Sequence, residues 1–149
     1  MITIRPADLD TDALAIIEGA RDFVERAGLH SVFPKSDQDF IAAVGRIVEL
    51  PGMQILVAEQ DKQIVGGVGV LYAPSLWNPA VLTGEELFWW TAVRAPFRTA
   101  RCLFEAALKK IDEIGAMPRF HSLETSPHGV EKLYRRFGLI RTETSFGRP

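Results

Sequence analysis

The segment Leu87-Phe88-Trp89-Trp90-Thr91-Ala92-Val93 constrains this chain more than any other. Successive side chains of an extended segment face opposite layers, so a strand this apolar on both sides belongs inside a covered sheet. The chain then runs through an arginine-bearing loop into an amphipathic helix, where Leu103, Phe104, Ala107, Leu108, Ile111 and Ile114 form one apolar stripe before Gly115. Arg94, Arg98 and Arg101 crowd the opening of that helix. A helix opening presents unpaired N–H groups and the positive end of the dipole, so each arginine there is unfavourable by about 0.3–1 kcal/mol. A bound phosphate or carboxylate compensates, and local rules are most often broken at functional sites. The junction therefore reads as an anion site, with a plain solvated helix start as the competing reading.

The remaining pattern alternates between periods. Residues 2–5 read as a short strand closed by Pro6. Ala13, Leu14, Ile17, Ala20, Phe23, Val24 and Ala27 trace a helical stripe from about Thr11 until Gly28. Ser36 with Asp39 resembles a capping box for a second helix reaching about Leu50. Gln54–Glu59 and Gln63–Tyr72 read as a hairpin around Gln60-Asp61-Lys62, and Gly66, Gly67 and Gly69 allow its second strand to bend or be approached closely. Ala73–Glu85 is expected to be a long connection on the rim of a binding site, with Gly28–Ser36 framing the other side. A strand over Glu86–Val93, the helix from about Thr99 to Ile114, a strand over Arg119–Thr125, a short helix over Pro127–Phe137 stopped by Gly138, and a final strand over Leu139–Phe146 complete the order. That order gives a mixed, mostly antiparallel α/β sheet flanked by helices, in one domain spanning residues 1–149.

Composition narrows the partners. A formal charge of −2 spread over 149 residues leaves no dominantly basic face for broad nucleic-acid binding. No apolar run approaches the roughly 20 residues that cross a bilayer, so no membrane partner is expected. The lone Cys102 excludes an internal disulfide, and Met-Ile-Thr-Ile-Arg-Pro is not a basic-then-apolar leader, which together suggest the cytoplasm. The histidines and cysteine show no metal-ligand spacing, so no metal is expected.

The element order, with Leu133-Tyr134-Arg135-Arg136-Phe137-Gly138-Leu139, resembles the GNAT superfamily of acyl-CoA-dependent N-acetyltransferases over nearly the whole chain. Val93 and Arg98 match the start of that family's cofactor loop, while Thr99, Arg101 and Leu103 stand where glycine or alanine is customary. Trp89-Trp90 and the following helix also resemble small members found in bacteriophages and prophages.

The resemblance implies acetyl-CoA as cosubstrate and a small-molecule or protein amine as acceptor, joined by direct attack in a ternary complex. It implies Tyr134 as proton donor to the departing thiolate, and backbone N–H groups near Thr91, Ala92 and Val93 as partners of the developing oxyanion. Arg98 and Arg101, with the N–H groups of Thr99, Ala100, Arg101, Cys102 and Leu103, are implied for the pyrophosphate. For the base, Glu86, Glu124, His121, His128 and an ordered water remain open, an exposed strand-end carboxylate being the plainer reading of either glutamate. Cys102 has no evident base partner and reads as a packing residue. The competing functions are a non-catalytic, phage-associated GNAT-like protein-interaction module and, more weakly, a nucleic-acid binder using Arg135, Arg136 and the arginine loop. A homodimer is expected if the short C-terminal segment leaves a sheet edge uncovered.

Overall fold

The computed structural model describes residues 1–123, 126–127 and 129–142. The chain begins with β1 (Ile2–Pro6), which runs into α1 (Leu9–Ala27). Asp8 caps α1 by accepting the Asp10 N–H, and Gly28, at φ +68°, ends it in the left-handed conformation that suits glycine. Arg5 ties β1 to its neighbours, binding Asp12 on α1 at 2.7 Å and Glu59 at 2.8 Å. Ser36 caps α2 (Asp37–Val48), accepting the Asp39 N–H as the capping box predicts.

β2 (Met53–Gln60) and β3 (Gln63–Pro74) form the expected hairpin, its turn made by Asp61 and Lys62 at φ +51° and +63°. β4 (Leu82–Thr91), α3 (Thr99–Ile114), β5 (Met117–Arg119) and α4 (Val130–Arg136) follow. The sheet order is β1-β2-β3-β4-β5, antiparallel except for the parallel β4–β5 pair. One core cluster joins α1 and α2 to Ile55, Val57, Phe88 and Trp90. The other joins α3 to Ala58, Val65, Val68 and Val70, with Trp89 packed against it. The adjacent tryptophans thus face opposite layers, as strand alternation requires.

Glycine makes this packing possible. An ideal Cβ on Gly19 of α1 would lie 2.0 Å from the Trp90 ring, and one on Gly69 of β3 would lie 2.4 Å from Phe88. The clustered glycines of β3 therefore serve close approach by the β4 aromatics.

Several boundaries differ from the sequence reading. β4 starts at Leu82, because Leu82–Thr91 pairs back along β3 to Pro74; the β3–β4 connection is correspondingly short and is closed by Ser75 N–H to Val81 O at 2.8 Å. Gly84 hid this extension, yet it suits the strand because a Cβ there would press on Ile111 at 2.8 Å. β5 stops at Arg119, since β4 and β5 diverge beyond Glu85. α4 begins at Val130, leaving Pro127 outside its first turn, and Gly138, at φ +81°, follows its end. Leu139–Thr142 forms no strand, with Ile140 82% exposed; the rest of the expected final strand lies outside the described residues.

Gly19→Ala should lower stability by about 1–3 kcal/mol through overpacking against Trp90 despite alanine's better helix propensity. Gly45→Ala on α2 meets nothing within 4 Å and should raise it by up to about 1 kcal/mol. Urea denaturation of the two variants checks the opposite signs.

Candidate active site

The last paired residues of β4 and β5 are Glu85 and Arg119. Beyond them, among the described residues, β4 continues alone on that side. Its register against β3 also slips there, from Gly69↔Phe88 to Val70↔Glu86, so Leu87 is the extra residue of a bulge. The space beside the free edge is a cleft of about 350 Å³. Glu86, Leu87, Trp89, Trp90 and Thr91 supply its floor; Asp22, Phe23, Arg26, Ala27, Leu29 and Phe33 supply the α1 side. Ala100 of α3, His121, Leu123, Ser126, Pro127, Val130 and Tyr134 close the opposite side.

Glu86 is buried, and its carboxylate accepts the backbone N–H of His121 at 3.1 Å. Desolvation pushes its pKa above the ordinary carboxylate value, a shift that the His121 N–H partly offsets. The His121 ring lies 3.1 Å from Glu85, so it is oriented by that neighbour. Glu124 and His128 lie outside the described residues.

Tyr134 belongs to an aromatic cluster with Trp89, Phe104 and Phe120. Its hydroxyl donates to His121 O at 2.8 Å, and burial, then the nearby Glu86 charge, pushes its pKa well above the phenol range. The phenol is held neutral. Burial and the Glu86 charge make it a weak proton donor, and its proton is engaged by the His121 carbonyl.

The backbone candidates separate. Ala92 is engaged with β3, donating to Val65 O at 2.9 Å, which corrects the expectation that its N–H is free. Thr91 faces the other edge, where its carbonyl accepts Arg26 Nη1 at 3.5 Å, and strand alternation places its N–H on that open side. Val93 is an exposed turn residue, beside the Ala95 N–H to Ala92 O bond of 2.9 Å.

At the opening of α3, Thr99 N–H donates to Pro96 O at 2.9 Å and Cys102 N–H to Arg98 O at 3.0 Å. Leu103 is the fifth helical residue and is fully buried against the sheet. None of these three is a free anion donor, a correction that follows from ordinary helix pairing. Ala100 and Arg101 keep N–H groups without a partner among the described residues. Arg94 and Arg98 are exposed and have no ion-pair partner among the described residues, whereas Arg101 binds Glu105 at 2.7 Å.

Sequence reasoning placed Phe23 and Ala27 in the core, where their stripe continues past the packed sheet into the cleft. It did not single out Arg26 and Asp22, whose only signal was their spacing of four on a helix. Leu29 and Phe33 line the cleft as the Gly28–Ser36 frame predicts, but the β3–β4 connection does not, and Trp77 is exposed. Among the described residues no group of three or more His, Cys, Asp or Glu could hold a metal, and no helix is long and apolar enough to cross a membrane.

No protein-family profile and no curated protein matches this chain in sequence. Solved structures match it in three dimensions over nearly their whole length. A ribosomal-protein-alanine N-acetyltransferase from Brucella melitensis biovar Abortus 2308 has a TM-score of 0.76 at 14% identity, covering 100% of this chain and 99% of the other. A predicted acetyltransferase from Clostridium acetobutylicum, solved with acetyl-CoA, has a TM-score of 0.70 at 14% identity, covering 100% and 96%. A transcriptional regulator from Bacillus halodurans C-125 has a TM-score of 0.77 at 18% identity, covering 100% and 99%. The shared property is the fold. It is the mixed, mostly antiparallel sheet with flanking helices that acetyltransferases in this set also possess.

The raised pKa of Glu86 has a definite consequence for stability. Near the ordinary value of 4.5 the unfolded chain loses this proton while the folded chain keeps it, so stability falls as pH rises until the higher folded pKa is passed. Glu86→Gln removes that loss and can still accept the His121 N–H. The difference in stability, variant minus wild type, should grow between pH 4 and pH 8 in paired urea titrations; a flat difference refutes it.

Proposed function

We propose that this protein is an N-acetyltransferase that moves an acetyl group from acetyl-CoA to a primary amine by direct attack in a ternary complex. The observation that carries this reading is the free edge of β4 beyond Glu85, open to a cleft shared by the first turn of α3, Tyr134 and a buried carboxyl group. Acetyl-CoA fits the residues present. The unpaired Ala100 and Arg101 N–H groups and the exposed Arg94 and Arg98 suit a diphosphate at the helix opening.

Bound acetyl-CoA supplies a thioester carbonyl as electrophile and a thiolate as leaving group. In this reading Glu86 takes the proton from the attacking amine, directly or through water, and its upward shift brings it closer to that task than an exposed carboxylate. Thr91 N–H supports the negative charge that develops on the carbonyl oxygen. The new N–C bond forms, the C–S bond breaks, and Tyr134 supplies the proton to sulfur after releasing His121 O. The departure from the usual glycines leaves the anion site with two amides and flanking arginines.

Calorimetry should show saturable acetyl-CoA binding, and an amine panel should show acetylation. Replacing Arg94 and Arg98 together by alanine should weaken acetyl-CoA binding at least tenfold, about 1.4 kcal/mol. Tyr134→Phe should slow transfer at least tenfold and leave that affinity within about twofold. Absence of both acetyl-CoA binding and acetylation would instead favour a non-catalytic module.

A further inference from the structure

The cleft has two chemically different sides. The opening of α3 and Tyr134 lie on one helical layer, and the C-terminal half of α1 with the following connection lies on the other. If the diphosphate sits at the α3 opening, the α1 side is left for the acceptor. That side is apolar and largely aromatic, with Phe23, Leu29 and Phe33 packed on the cluster that contains Trp90.

Its charges are arranged sparingly. Asp22 is neutralised by Arg26, at 2.9 Å between Oδ2 and Nη2, and Arg26 also reaches Thr91 O at 3.5 Å. Among the described residues lining the cleft, Glu86 is the remaining carboxylate, and it has no cationic side chain bound to it. Among the described residues the site thus offers one unpaired negative group for one ammonium. A second ammonium on the same acceptor would meet aromatic rings or Arg26. The volume of about 350 Å³ lies near the lower end of ligand pockets, and it must also admit the thioester arm.

Resting on the acetyltransferase reading above, we infer that the acceptor is a small primary monoamine carried on an apolar or aromatic body, with its nitrogen at Glu86 and its body against the α1 side. Polyamines and aminoglycosides are disfavoured because their further ammonium groups find no unpaired carboxylate among the described lining residues. A peptide lysine presents a single ammonium, but its thin stem leaves the ring-lined wall poorly filled.

Acetylation of 2-phenylethylamine, spermidine, kanamycin and a lysine-containing peptide tests the inference through kcat/KM. The expected result is a preference for 2-phenylethylamine of at least tenfold over each of the others. Equal rates, or preference for any of the others, overturn it. Arg26→Ala, at a half-exposed position, frees the Asp22 carboxylate and should reduce the ratio of 2-phenylethylamine to spermidine at least tenfold; an unchanged ratio also overturns it. Equilibrium binding of 2-phenylethylamine and spermidine to the protein saturated with CoA keeps the two levels distinguishable. Selective 2-phenylethylamine binding without turnover supports the acceptor class while the catalytic reading fails. Turnover without that selectivity does the reverse.

Discussion

The hydrogen bond from His121 N–H to the buried Glu86 carboxylate holds the point where β4 and β5 part. A backbone donor that leaves a sheet must find another partner or carry a desolvation cost. Here a side chain takes the place of the next rung of the parallel ladder. The replacement lets β5 end after three residues while the chain turns towards α4, and it leaves β4 with an open edge facing the cleft. The same burial that satisfies His121 makes the Glu86 charge expensive, so a structural contact and a titratable site share one carboxylate.

A strand without a neighbour on one side has to be held from its faces. Trp90 is clamped between Gly19 on α1 and Gly67 on β3, while Trp89 stacks on Phe104 with centroids 6.0 Å apart. Phe104 in turn meets Phe120, Tyr134 and Phe137, joining α3, α4 and the segment after β5. Both helical layers therefore anchor the free stretch of β4. The close fit has a consequence for function: Tyr134 is fixed by ring contacts and by His121 O, so its hydroxyl reaches the cleft from a packed wall.

Much of this was legible in the sequence because the apolar periods are strong. The two stripes of α1 and α3, the β2–β3 hairpin and the two-sided β4 followed from spacing, and Gly28 and Gly115 mark helix ends through positive φ. What spacing could not convey was pairing. Leu82–Glu85 lacks strand-like alternation but is recruited by β3, and Arg119–Leu123 looks extended but loses its partner after Arg119. The same limit applies to the site. Glu86 and Tyr134 were visible as residue types, whereas the Asp22–Arg26 pair and the commitment of Ala92 to β3 depend on neighbours remote in sequence.

The helix opening shows why its unusual sequence is physically consistent. Arg98 caps α3 at φ −82° and ψ −7°, a right-handed conformation that any residue adopts, so the turn imposes no demand for glycine. Arg101 directs its guanidinium to Glu105, and Leu103 points into the core, so neither side chain needs the space in front of the Ala100 amide. Leu103 instead meets Gly66 of β3, where an added Cβ would lie 3.0 Å from its Cδ1. Close approach between α3 and the sheet is thus achieved by a small residue on the strand and a large one on the helix. In the first turn the Ala100 and Arg101 amides keep no partner among the described residues.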